Sequence, residues 1–185
     1  MFTYPRSFTF NIKRLNEKAV IPTQGSAAAA GYDLYACLDA PVTINPHETV
    51  KIGTGIAMAI PEGCWGGIYA RSGLATKEGL RPANCVGVID PDYRGEIIVA
   101  VHNDSYHIRT IEPNERIGQF ILHSRFLCDW NEVEDLDETT RGDGGFASTG
   151  KWKKGNKYIL LPFIFLPRFD FQNFLWYTRL IIKIF

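Results

Sequence analysis

The sequence has only four cysteines, Cys37, Cys64, Cys85 and Cys128, with no CxxC pair and no Cys/His cluster of zinc-finger spacing. A structural zinc site is excluded on that pattern, and a reducing compartment is expected. No GxxxxGK[ST] run occurs, and Gly53 and Gly55 lack a third glycine at nucleotide-fold spacing, so any phosphate must be held without a P-loop. Helix signals are scarce. The best short-helix candidate, Leu74 to Glu78, is stopped by Gly79, which leaves no crossover helices for a doubly wound α/β sheet. The first ten residues, MFTYPRSFTF, contain neither an apolar stretch of signal-peptide length nor an Arg-rich, acid-poor run, and a cytoplasmic protein is expected. Basic excess is lacking too. The net charge of zero divides into 13 Lys/Arg against 19 Asp/Glu in residues 1–150 and 7 against 1 in residues 151–185. An acidic body argues against duplex nucleic acid as a partner, since such binders concentrate Lys and Arg on the contacting face.

What is present is a globular composition, 45% hydrophobic and 22% charged over 185 residues, enough for one packed domain of ordinary size. From Phe8 to Arg125 the chain reads as short extended runs separated by Gly, Pro, Asn and Asp. Examples are Phe8 to Leu15, Thr54 to Ile60, Glu96 to His102 and Ile117 to His123. Several alternate apolar and polar residues, and turn signals recur roughly every 8 to 12 residues. The expected fold is all-β, a jelly roll or barrel-like sandwich.

Residues 126–150 turn acidic, Glu132-Val-Glu-Asp-Leu-Asp-Glu138, and then glycine-rich, Arg141-Gly-Asp-Gly-Gly-Phe-Ala-Ser-Thr-Gly150. Such a stretch buries little apolar surface, so an arm that orders on contact with a ligand is expected. The anticipated division is a body at 1–140, an arm at 141–150 and an atypical tail at 151–185. That tail holds 10 of the 24 aromatics and no Ala, Val, Ser or Glu. Pro162, Pro167, Arg168, Asp170 and Arg179 interrupt its apolar runs, so no stretch of roughly 18 to 20 residues can span a bilayer. Its composition suits translation of AT-rich sequence past a lost stop or through a frameshift; a basic, aromatic membrane-surface segment is the alternative.

Five short segments carry chemistry: Ala30-Gly-Tyr-Asp-Leu-Tyr-Ala36, Arg71-Ser-Gly-Leu-Ala75, Gly87-Val-Ile-Asp-Pro-Asp-Tyr-Arg-Gly-Glu-Ile97, Glu115-Arg-Ile-Gly-Gln-Phe120 and Arg141 to Gly150. Asp90 precedes a tight turn, Pro91 to Gly95, that folds the flanking runs into a hairpin. A carboxylate there can take a proton from a water aimed at phosphorus, or it can merely cap the turn. Arg71, Ser72 and the Gly73 amide form a compact donor cluster at the start of the short helix.

In this order and spacing the five segments resemble the homotrimeric deoxyuridine triphosphatases, which hydrolyse dUTP to dUMP and pyrophosphate, limiting uracil in DNA and supplying dUMP. The resemblance covers residues 8–150. It implies that Asp90 orients water toward the α-phosphorus, and that Gly87, Val88, Ile89 and Ile98 present backbone to uracil with Asn84 nearby. Tyr93 would lie beneath the deoxyribose and leave no space for a 2′-hydroxyl. Arg71, Ser72, Gly73 and Gln119 would contact the triphosphate, while Arg141, Ser148 and Thr149 reach it from the arm and Phe146 stacks on the base. A Mg²⁺ held mainly by phosphate oxygens and water is implied, with Asp33 supporting that network indirectly through water. So is a homotrimer with shared sites.

Two positions depart from the family pattern. Ala70 stands where proline is usual, and Ala147 where glycine is common; neither change removes a chemical group. A related deoxycytidine triphosphate deaminase would carry a second serine and a downstream arginine in the phosphate loop, whereas the loop here reads Arg-Ser-Gly-Leu-Ala-Thr. A nucleotide-gated regulatory binding protein of the same fold is the alternative from another functional class. His47, His102, His107 and His123 lack metal spacing and are read as structural.

Overall fold

A computed structural model describes residue 9 and residues 11–145. The chain divides into a unit ending at Trp130 and a second beginning at Asn131. The first unit is built almost entirely of antiparallel strands: β1 (Ile12–Arg14), β2 (Tyr32–Tyr35), β3 (Val42–Ile44), β4 (Thr49–Gly53), β5 (Ile56–Met58), β6 (Cys64–Tyr69), β7 (Leu80–Pro82), β8 (Gly87–Ile89), β9 (Ile98–Asn103), β10 (Arg109–Ile111) and β11 (Arg116–Ser124). One sheet has the order β2-β11-β6-β8 and another the order β4-β9-β7, with β1-β5 and β10-β3 as two-stranded ribbons. The expected all-β, jelly-roll character holds, although the sheets do not close into a barrel.

Alternation along the strands explains the core. On β9, Val99, Val101 and Asn103 point inward while Ile98, Ala100 and His102 lie on the other face, the period-two arrangement of a half-buried strand. Leu34, Ile44, Ile52, Ile56, Leu80 and Ile97 complete a core in which each is essentially inaccessible. Asn103 is the buried polar exception. Its Nδ2 donates to the carbonyls of Ile44 at 3.1 Å, Asn45 at 3.2 Å and His107 at 2.8 Å, and its Oδ1 accepts from the Ser105 amide and hydroxyl at 3.0 and 2.7 Å. The side chain thereby ties β9 to the ends of β3 and β10, which is how such a group is tolerated inside.

The short helix forms where the sequence placed it. α1 (Leu74–Glu78) is a single wide turn closed by Gly79, which sits at φ 72° and returns its N–H to the Leu74 carbonyl. Only glycine adopts that left-handed cap without a Cβ penalty. Among the described residues no helix is long and apolar enough to cross a membrane. The four cysteines carry free thiols. Three histidines have packing or hydrogen-bonding roles: His102 bonds Thr49 at 2.9 Å, His123 stacks on Trp65 with ring centroids 4.4 Å apart, and His47 meets Tyr106 edge-on.

In the second unit, residues 131–145 form no strand or helix. Gly142 adopts φ 52° and returns its N–H to the Thr139 carbonyl at 3.1 Å, and Arg141 Nε donates to the Gly144 carbonyl at 2.7 Å.

Candidate active site

One polar cavity of about 250 Å³ gathers Asp33, Arg71, Ser72, Gly73 and Gln119, walled by the small residues Gly25, Ala29, Ala30 and Gly31. Three elements supply its side chains. β6 ends at Tyr69 and delivers the Arg71-Ser72-Gly73 loop, β2 carries Asp33, and β11 carries Gln119 directly opposite both Asp33 and Tyr69. Opposed residues of antiparallel neighbours share a face, so these segments of distant sequence converge on one side of the sheet.

Asp33 organises the cations. Its Oδ1 accepts from Arg71 Nε at 2.9 Å and its Oδ2 from Arg116 Nη1 at 3.2 Å; Arg71 Nη1 also reaches the Arg116 carbonyl at 3.4 Å. Arg71 Nη2 makes no hydrogen bond among the described residues, so the guanidinium is fixed at one edge and available at another. Gln119 Nε2 donates to the Ala70 carbonyl at 2.8 Å and buttresses the loop just before Arg71. The arrangement presents one oriented guanidinium, the Ser72 hydroxyl and the Gly73 backbone to an anion.

Arg116 was not singled out by sequence reasoning. Residues 116 and 119 fall on opposite faces of a regular strand. Here the register shifts between Arg116, opposite Tyr35, and Gly118, opposite Leu34. The extra residue, Ile117, is buried, and the bulge brings Arg116 to the face of Asp33 and Gln119. Of the glycine and alanine wall, Ala30 and Gly31 open the first of the five segments, whereas Gly25 and Ala29 carry no sequence signal stronger than small size.

The second group of expected residues forms a hairpin elsewhere. β8 pairs with β6, Gly87 opposite Ile68 and Ile89 opposite Gly66. The chain then turns through Asp90–Gly95, closed by the Tyr93 amide bonding the Asp90 carbonyl at 3.2 Å, and returns as Ile97 and β9. The Asp90 carboxylate is exposed and accepts no hydrogen bond among the described residues, so the turn is closed by backbone and not by an Asp90 side-chain cap. Val88, Tyr93 and Ile98 are 59%, 42% and 44% exposed, an apolar surface on the hairpin that the described residues leave uncovered. Asn84 belongs to the same neighbourhood: the preceding Ala83 bonds the Ala100 carbonyl at 2.8 Å, beside the start of β9.

The two groups leave opposite ends of β6. Gly66, opposite Ile89, and Arg71 are five positions apart, about 16 Å along a fully extended chain at roughly 3.3 Å per residue. The hairpin tip and the Arg71 loop therefore lie toward opposite ends of β6. Arg141 lies in the second unit, and Phe146, Ser148 and Thr149 lie outside the described residues.

Shifted proton affinities occur away from the cavity. The Arg81 hydrogen bond holds the Asp104 carboxyl below the usual carboxylate range, Lys18 does the same for Asp39, and burial raises the Cys37 thiol.

The dUTPase family model matches residues 17–150, a span that includes both the cavity and the hairpin. The chain belongs to the dUTPase family. Curated relatives include the deoxyuridine 5′-triphosphate nucleotidohydrolase of Syntrophotalea carbinolica, 41% identical over 145 residues that make up 78% of this chain and 99% of the relative. The enzyme of the same name from Desulfitobacterium hafniense is 46% identical over 138 residues, 74% of this chain and 91% of the relative. Among solved structures, a mutant dUTPase of Staphylococcus bacteriophage 80alpha with dUpNHpp superposes with a TM-score of 0.70 at 27% identity, covering 78% of this chain and 99% of that one.

Proposed function

We propose that the protein hydrolyses dUTP to dUMP and pyrophosphate as a dUTP diphosphatase. The observation that carries the reading is the cavity in which Asp33 orients Arg71 beside Ser72, Gly73 and Gln119, an anion site built without a P-loop. In this reading the triphosphate lies along Arg71, Ser72 and Gly73, with Arg141, Ser148 and Thr149 added by the arm. Uracil pairs with the backbone of Gly87, Val88, Ile89 and Ile98, near Asn84 and under Phe146. An edge that offers the uracil pattern of donors and acceptors leaves cytosine with unpaired polar groups, which costs selectivity of several powers of ten. Tyr93 underlies the deoxyribose. Asp90, exposed and accepting no hydrogen bond among the described residues, takes a proton from the attacking water, and pyrophosphate departs from the α-phosphorus.

Mg²⁺ enters with the nucleotide in this reading. Among the described residues no three acidic, histidine or cysteine groups converge on a metal-sized space, and both oxygens of Asp33 face guanidinium groups. Phosphate oxygens and water would supply most ligands, and the ion would offset charge on the leaving pyrophosphate. Asp33 acts on the ion only through water.

Sites are shared between copies, in a homotrimer. The separation of Asp90 from Arg71 along β6 supports this, as does the exposure of Phe126 (85%), Leu127 (82%) and Trp130 (92%) beyond β11, apolar groups of the kind a neighbouring subunit covers. Pyrophosphate release from dUTP, dCTP, dTTP and UTP with Mg²⁺ tests the whole reading. Strong preference for dUTP is expected; equal rates on dCTP and dUTP would refute it.

A further inference from the structure

The hairpin contains a support that the reaction reading does not use. The Tyr93 hydroxyl donates to the Glu96 carbonyl at 3.0 Å, and the phenol lies where a Cβ on Gly95 would fall. The ring is thus laid back over its own turn, and its height is set by the peptide joining Glu96 to Ile97. That peptide is held from its other side as well, since the Ile97 amide bonds the Ile56 carbonyl at 2.8 Å.

The side chain of Glu96 points to the turn between β4 and β5. Its Oε1 accepts the Gly55 N–H at 2.7 Å, and its carboxylate occupies the space that a Cβ on Gly53 would need. Gly55 sits at φ 67°, a conformation that turns its N–H toward the carboxylate and that other residues adopt with strain. Buried Thr54 between them donates through both its amide and its hydroxyl to the Ile97 carbonyl, at 3.1 and 2.6 Å. Two glycines and a carboxylate thus form a seat beneath the tyrosine.

We propose that Glu96 is a positioning residue for selection against ribonucleotides: its carboxylate seats the hairpin on the Gly53–Gly55 turn and so holds the Tyr93 ring at the height that excludes a 2′-hydroxyl. The proposal rests on the reading of Tyr93 as the sugar platform. Selectivity of this steric kind is sensitive to small displacements, because a ring that drops by a fraction of an ångström admits an oxygen it formerly excluded. The acidic side chain is needed as an acceptor of fixed length, so glutamine can replace it and alanine cannot.

The test is the ratio of kcat/KM for dUTP to that for UTP, measured with Mg²⁺ in the assembled protein. Glu96→Ala should lower the ratio by about tenfold, whereas Glu96→Gln, which keeps an oxygen for the Gly55 N–H, should hold it within about threefold of wild type. Gly53→Ala leaves Glu96 chemically intact but takes its space; it should reproduce the alanine effect and stands in should Glu96→Ala fail to fold. An unchanged ratio in a folded Glu96→Ala or Gly53→Ala protein, or an equal fall on both substrates, would overturn the proposal. Tyr93→Ala in the same assay separates the two layers. If it leaves the ratio intact, the platform reading itself is wrong; if it collapses the ratio while Glu96→Ala does not, only the role of Glu96 is lost.

Discussion

Ile89 lies opposite Gly66 in the β6–β8 pairing, and that one register directs Asp90 toward the Cys64 end of β6, while Arg71 follows the Tyr69 end. Mixed oligomers provide a direct check of the sharing this implies. Asp90→Asn chains keep a phosphate cavity and Arg71→Ala chains keep a hairpin. Random assembly at equal ratio should restore about a quarter of the sites, each built across two chains. Absence of any recovery in oligomers shown to contain both chains would mean that each subunit is self-sufficient.

Asp90→Asn should lower kcat by about 10² to 10⁴ while nucleotide binding persists, because the amide preserves shape but cannot accept the proton. Calorimetric titration with a non-hydrolysable dUTP analogue reads the binding half. Turnover equal to wild type would leave Asp90 as an ordinary turn residue.

Asp33→Asn should weaken the hold on Arg71 without removing any group that touches nucleotide in the proposed arrangement. The amide keeps one acceptor oxygen and turns the other into an NH2 that cannot accept from a guanidinium, so one of the two contacts and the ion pairing are lost, about 1–2 kcal/mol, or roughly 5- to 30-fold in affinity for the phosphates. Product inhibition by pyrophosphate is the sensitive measurement. Its inhibition constant should rise while discrimination between dUTP and dCTP stays put, since the base is read at the hairpin.

Asn103→Leu should destabilise the fold by about 2–3 kcal/mol, through carbonyls of Ile44 and His107 that lose a buried donor. Urea unfolding should show a lower midpoint with an unchanged slope. The surviving folded fraction should retain its selectivity, because Asn103 touches neither residue group of the site.

A chain truncated after Lys151 should retain dUTP hydrolysis and gain solubility, as all five motifs precede the cut and the removed segment is rich in aromatic and aliphatic residues. Loss of assembly or of activity on truncation would show that residues beyond 151 contribute to the body.

Much of this architecture is legible before any coordinates. Turn residues at Pro91–Gly95 and the alternation in Glu96 to His102 give the hairpin, and Gly79 gives the helix stop. Arg71, Ser72, Gly73 and Gln119 were grouped by motif, and they do share a cavity. Two things escaped. Asp33 is singled out by its motif, but its pairing with two guanidinium groups is a long-range contact that no spacing within the chain encodes. Arg116 lay inside a quoted motif yet went unnoticed, because period-two reasoning assumes an unbroken strand. Bulges are set by what the partner strand requires, and that partner, β2, is some eighty residues away.

The bulge at Ile117 has an evolutionary corollary. It acts as a phase corrector in β11: upstream of it Arg116 keeps step with Tyr35, and downstream Gln119 keeps step with Asp33. Deleting one residue here would invert one side or the other, bringing Gln119 into the oily layer and Phe120 out of it, or exiling Arg116. Lineages of this chain should therefore accept length changes in the 125–140 connection and almost none between 116 and 118, whatever residue identities drift around them.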